Sequence, residues 1–189
     1  MPKNRMLIKQ EINTYTDVLL DFAKEKGNEY EISAQLEEMK KVVRMSPGLD
    51  QVLNDDTLPE DTRADVIGEV FKEFDPDLVK FLLVMGERGD ISHLGRIAEL
   101  YDQKLQERDN VVILDVSTVI ELDDELREKI KSKFAAQFDK EIVLREHVEP
   151  WILGGINVRA NGKRIDCCTA TRLDKVRVAL SSVTTGGER

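Results

Sequence analysis

The period of the apolar residues changes once along this chain, close to residue 110, and that change limits the folds open to it. Before it, apolar residues recur at three- and four-residue steps, the signature of a helix face. After it, "VVILDVSTVI" (111–120) is rich in β-branched residues and puts Val112, Leu114, Val116 and Thr118 on one alternating face. Helices followed by mixed strands and helices argue for an α+β chain in two parts. Its 189 residues suffice for two small domains. The expected division is a six-helix bundle over residues 1–107 and a small α/β domain with a β-hairpin over 108–189, with the polar run "QERDN" (106–110) as boundary.

In the first part the start and stop signals are explicit. Ile8, Ile12, Tyr15, Leu19, Phe22 and Ala23 form a stripe that stops before Gly27. Ile32, Leu36, Met39 and Val43 form a second helix, ending near Ser46. Ser46 is then expected to cap a short third helix with Pro47 at its first position. A fourth opens at Pro59 and carries Val66, Ile67, Val70, Phe71 and Phe74. Asp75 and Pro76 open the fifth, "DPDLVKFLLVMGERGD", which ends at glycines 86 and 89. The sixth carries Ile91, Leu94, Ile97, Ala98, Tyr101 and Leu105. Turn-length connections suit a bundle. The fifth helix is apolar on nearly every side from Leu78 to Met85, so each side must be covered. Two accounts stand equally: it is the central helix, or one side is a groove that receives an amphipathic helix of another protein.

In the second part, Leu122, Leu126, Ile130, Phe134 and Phe138 read as a helix over 122–138, and "EIVLREHV" (141–148) as a strand. Leu173, Val176, Ala179, Leu180 and Val183 read as a final helix over 173–183. Between them lies "VEPWILGGINVRANGKRID" (148–166), whose glycine pair and basic residues could be taken for a phosphate cradle. A cradle needs a helix straight after the glycines, aiming amides and dipole at the anion. Here Ile156, Val158 and Ala160 instead alternate with Asn157 and Arg159, which is strand periodicity. Asn161-Gly162 is a type I′ hairpin signal, and "KRID" returns as the partner strand. Gly154 and Gly155 therefore mark a bulge or a close backbone approach. The cradle reading fails.

Composition excludes further classes. The net charge of −9 opposes both nucleic-acid backbones and anionic membrane faces as main partners. The longest apolar run, "FLLVMG" (81–86), is far short of the roughly 20 residues a membrane span needs. The opening "MPKNRMLIKQEIN" has no apolar signal region, so a cytoplasmic protein is expected. Cys167 and Cys168 are adjacent and read as buried small hydrophobes, and His93 and His147 lie too far away to complete a zinc set. The carboxylate pairs Asp55/Asp56 and Asp123/Asp124 sit where helix starts are expected and read as caps. His147 reads as a solvent-facing strand histidine, and Trp151 as packing on its own domain rather than anchoring a partner. No catalytic group, metal or cofactor is expected.

Three stretches resemble the delta subunit family of bacterial F-type ATP synthase, relatives of the mitochondrial oligomycin-sensitivity-conferring protein. They are "TYTDVLLDFAKEKG" (14–27), "VKFLLVMGERGDISHLGRIAELYDQKLQER" (79–108) and the glycine segment 148–166. The last is the most specific: an acidic residue, a two-residue gap, an apolar residue, Gly154-Gly155, a strand, a turn with Gly162, then Ile165-Asp166. The chain departs from the family's usual pattern at Cys168, where serine is common, at Glu149 and at Gly89-Asp90.

That resemblance implies a non-catalytic stator subunit, peripheral at the cytoplasmic face of the bacterial membrane. The amino-terminal domain would bind an amino-terminal helix of an alpha subunit in a groove between the first and fifth helices. The smaller domain would bind the peripheral-stalk b subunits, so that proton flow is coupled to ATP synthesis. Residue matching gives Tyr15, Val18, Leu19 and Phe22 of the first helix and Leu78, Phe81, Leu82 and Met85 of the fifth as groove candidates, some of which must instead hold the bundle together. Leu82→Asp is expected to weaken alpha-peptide binding and spare the fold. Gly154, Gly155, Gly162 and Asp166 are expected to be structural.

Overall fold

Local backbone chemistry sets most helix ends. In the computed structural model, which describes residues 5–55, 57–150, 152, 154–160, 163–166 and 168–184, helix α1 spans Arg5–Lys26. It closes in a Schellman motif: Gly27 takes φ +68°, its N–H donates to Lys24 O and the Asn28 N–H donates to Ala23 O. Helices α2 (Glu29–Met45) and α3 (Pro47–Leu53) meet at Ser46, whose backbone oxygen accepts from Leu49 and Asp50. The Ser46 side chain makes no capping bond, so Pro47 and the backbone open α3 without the hydroxyl expected to cap it. Helix α4 runs Glu60–Val70 and stops before Phe71, which is buried and packs edge-on against Phe74 with ring centres 5.6 Å apart. Helix α5 (Pro76–Glu87) is capped by Asp75, whose side chain accepts from the Asp77 N–H at 2.9 Å. It ends in a second Schellman motif at Gly89, with the Asp90 N–H donating to Met85 O. A 3-10 turn, Ile91–His93, leads into α6 (Leu94–Asp109).

The chain divides into two compact units, one ending at Leu105 and the other beginning at Gln106. In the first, the fully buried side chains include Ile32, Leu36, Met39, Ile67, Leu82 and Tyr101. The stretch 106–110, expected as a polar boundary, stays helical through Asp109 and turns at Asn110 (φ 53°) straight into strand β1.

In the second unit β1 (Val111–Thr118), helix α7 (Asp124–Phe138) and β2 (Glu141–Val148) form a β–α–β crossover with β1 and β2 parallel. The Asp123 side chain caps α7 by accepting from the Leu126 N–H at 2.7 Å, as its position before the helix implies. Strand β3 (Ile156–Ala160) lies antiparallel on the other side of β1, and β4 (Lys163–Asp166) antiparallel on β3, giving the order β2-β1-β3-β4. Val112, Leu114 and Val116 of β1 pack with Ile130 and Phe134 of α7 and Val158 of β3 in one core on a single sheet face. Helix α8 spans Thr169–Thr184, opening four residues before the expected start. Among the described residues the fold is α+β, with eight helices and one four-stranded sheet.

One sequence expectation needs correction in this unit. His147 is not solvent-facing: its side chain is 14% exposed and its Nε2 lies 3.5 Å from Asp115 Oδ1. The parallel register puts Arg145 opposite Asp115, and the Arg145 Nε donates to that carboxylate too. Leu173 and Val176 lie on α8, as expected of a final helix, and both are more than half exposed. Cys168 is buried as expected, whereas Asp56, Cys167, Trp151, Asn161 and Gly162 lie outside the described residues.

Candidate partner groove and signature hairpin

Helices α1 and α5 run antiparallel along one seam, and their sequences explain how. On α1, Glu11, Tyr15, Val18, Phe22 and Lys26 fall at steps of three and four, and so do Asp77, Phe81 and Val84 of α5 and Arg88 at its C-cap. Each row therefore lies on one side of its helix. At one end, Lys26 Nζ donates to Asp77, which also accepts from Lys80 at 2.8 Å. Hydrogen bonds from Lys26 and then Lys80 hold the Asp77 carboxyl down at about 2. At the other end, the Tyr15 hydroxyl donates to Asp90 Oδ2 at 3.0 Å and accepts from Arg88 Nη1 at 3.4 Å. Burial pushes the Tyr15 phenol up, so it stays protonated and able to donate. Between these polar ends the rings of Tyr15 and Phe81 meet edge to face at 5.6 Å.

The middle of the seam is apolar and open. Val18 is 58% exposed and Val84 47%, with Phe22 and Phe81 half-buried beside them. Lys26 Nζ sits 4.6 Å from the centre of the Phe22 ring, a cation–π contact that holds the ring's position. Tyr15, Leu19, Leu78, Leu82 and Met85, named with these as groove residues, are buried in the body of the unit. The expected tolerance of Leu82→Asp is therefore corrected: at 1% exposure, a carboxylate there would be stranded in the core. Val84, which the nearly all-round apolarity of α5 does not single out, is exposed and shares the Asp77–Phe81–Val84–Arg88 row.

Glu11, Asp90 and His93 bring three potential ligand atoms within 4.8 Å of one another at the Tyr15 end. Asp90 is committed to the Tyr15 hydroxyl, and the Arg88 guanidinium interacts electrostatically with both carboxylates. Arg88 thus supplies the positive charge that the pair would otherwise draw from a cation.

In the second unit the glycine segment anchors a helix. Gly154 has φ +142°, its carbonyl accepts from the Thr169 N–H at 2.9 Å, and a Cβ there would come 3.2 Å from Thr169 Oγ1. Gly155 has φ +90° and leads into β3. Asp166, at the end of β4, accepts from the Cys168 N–H just before α8 and from the Thr171 hydroxyl in its first turn, both at 2.9 Å, and so ties the end of β4 to the start of α8. Bonds from Cys168 and then Thr171 hold its carboxyl below the ordinary range. No phosphate cradle forms, because the glycines feed a strand and a backbone contact rather than a helix start.

The chain has clear similarity to known proteins. A sequence profile of the family described as "ATP synthase delta (OSCP) subunit" matches residues 12–180. ATP synthase subunit delta of Clostridium kluyveri is 31% identical over 167 residues, covering 86% of this chain and 91% of the relative. The Clostridium botulinum (strain Loch Maree / Type A3) protein of the same name is 27% identical over 164 residues, covering 86% and 92%. A chain of the Toxoplasma gondii mitochondrial ATP synthase hexamer superimposes with a TM-score of 0.54 at 16% identity, covering 89% of this chain and 96% of that one. At that identity the superposition speaks to the fold.

Proposed function

The chain belongs to the ATP synthase delta (OSCP) subunit family, a non-catalytic stator component of F-type ATP synthase, and on that premise we propose that its two units grip two different neighbours. The first unit, acting as a six-helix bundle, takes an amino-terminal helix of the alpha subunit along the α1–α5 seam. The second takes the b subunits of the peripheral stalk. The catalytic head is thereby held against the torque of the rotor, and proton flow is coupled to ATP synthesis. The observation that carries the reading is the seam itself, open and apolar at Val18 and Val84 and closed by polar contacts at both ends. An amphipathic helix fits such a trough by burying one stripe and leaving its polar face in water.

Bivalent attachment suits a stator. Once one unit is bound, the other searches at high effective concentration, so the joint releases slowly although each contact is non-covalent. No described helix is long and apolar enough to cross a membrane, so on this reading the chain is peripheral, held at the cytoplasmic face by its partners in the complex. The test is co-purification: an affinity-tagged copy expressed in the source cell should bring down alpha, beta and b subunits together. Recovery of the tagged chain without them would overturn the proposal.

A further inference from the structure

A second groove lies on the first unit, away from the Val18–Val84 stretch, and its chemistry differs from that of the seam. The amino-terminal half of α1 and the first half of α6 enclose a cleft of about 300 Å³. Its apolar lining includes Ile8 and Ile12 of α1 and Leu100 of α6, and its cations are Arg5, Lys9 and Arg96. One carboxylate, Glu99, also borders it. A local excess of positive charge is out of keeping with a chain of net charge −9. Among the described residues none of these three cations makes an ion pair. The placement also runs against helix electrostatics: the first turn of α1 holds no acidic residue, although carboxylates are the favoured charges at a helix N-terminus.

From this arrangement we propose that the α1–α6 cleft is a docking site for an acidic amphipathic helix of a protein partner. Arg5 and Lys9 are four residues apart, as are Ile8 and Ile12, and Arg96 and Leu100 on the facing helix. Each such pair is offset by about 6 Å along its axis, which matches carboxylates and apolar residues repeating at the same interval on an incoming helix. The span from Arg5 to Ile12 is about 10 Å, or two turns of a guest helix. A small anion is the poorer fit, because it calls for buried donors converging on one point and these three cations are exposed. A guest helix uses them differently: it buries the apolar strip, and the rimming charges steer it and set its register.

The test uses the full-length chain, isotope-labelled for NMR, and a synthetic helical peptide of about 20 residues with leucines on one face and glutamates on the other. Amide shifts should concentrate in residues 5–12 and 96–103. Lys9→Glu with Arg96→Glu should weaken binding by about tenfold or more, and Lys9→Gln with Arg96→Gln should fall between that variant and the wild type. All four changes are at exposed positions, so thermal melting should be unchanged. Three results would overturn the proposal: shifts centred on Val18 and Val84 instead, equal binding of a lysine-for-glutamate peptide, or the same shifts produced by inorganic phosphate alone.

Discussion

Replacing Val18 and Val84 together with aspartate separates the partner surface from the core of the first unit. Complete burial of a valine side chain is worth about 1.5–3 kcal/mol. The two are 58% and 47% exposed, so roughly half of that gain is left for each when a partner helix covers it. The pair should therefore lose about 2–3 kcal/mol of binding, a rise in Kd of roughly 30- to 150-fold, before counting the cost of desolvating two carboxylates. Because neither residue supports the core, the fold should change by no more than about 0.5 kcal/mol per site. Leu82→Asp behaves in the opposite way: it removes a fully buried side chain and strands a charge, at a cost above about 4 kcal/mol. The assay is isothermal titration of each full-length variant with a peptide spanning the amino-terminal helix of its own alpha subunit, beside a thermal melt. Wild-type affinity in the double variant, with an unchanged melt, would refute the assignment of the seam as the docking surface.

Two further outcomes are expected in the second unit. Burial raises the Asp115 carboxyl, but hydrogen bonds from His147 and Arg145 outweigh it and hold it at about 2. A folded pKa below the unfolded value of about 4 gives stability that is present above pH 4 and lost as pH falls towards 2, amounting to about 2 kcal/mol. Asp115→Asn also removes the carboxylate that pairs with buried Arg145, so urea unfolding at pH 7 should show a loss of about 3 kcal/mol, with a flatter pH dependence between 4 and 2; a loss under about 0.5 kcal/mol would remove the pair from the account. Gly154→Ala should cost about 1–3 kcal/mol in the same assay, because φ is +142° and the new methyl meets Thr169 Oγ1; adding Thr169→Ala should relieve the contact and leave the backbone cost.

Much of the local structure was legible because its causes are local. Gly27 and Gly89 end helices through a positive φ, Pro47 and Pro76 open them, and Asp75 and Asp123 cap them, each through bonds within a few residues. The alternation of Val112, Leu114 and Val116, and of Val158 and Ala160, likewise told which residues share a sheet face, since side chains alternate in any strand. Periodicity groups residues on a face but does not say what covers that face. Tyr15, Leu19 and Val18 are neighbours on one helix, yet packing across the unit buries the first two and leaves the third in water. On α5 nearly every side is apolar, so only packing within the unit separates exposed Val84 and half-buried Phe81 from buried Leu78, Leu82 and Met85. Nothing along the chain announces that pairing of β2 with β1 brings the His147 side chain to 3.5 Å from Asp115, and the α1–α6 cleft joins residues some 90 positions apart. The sequence by itself determined which segments are helix or strand, because those preferences are settled by neighbours along the chain. The tertiary structure decided which side chains remain available to a partner, because exposure depends on segments far apart in the chain.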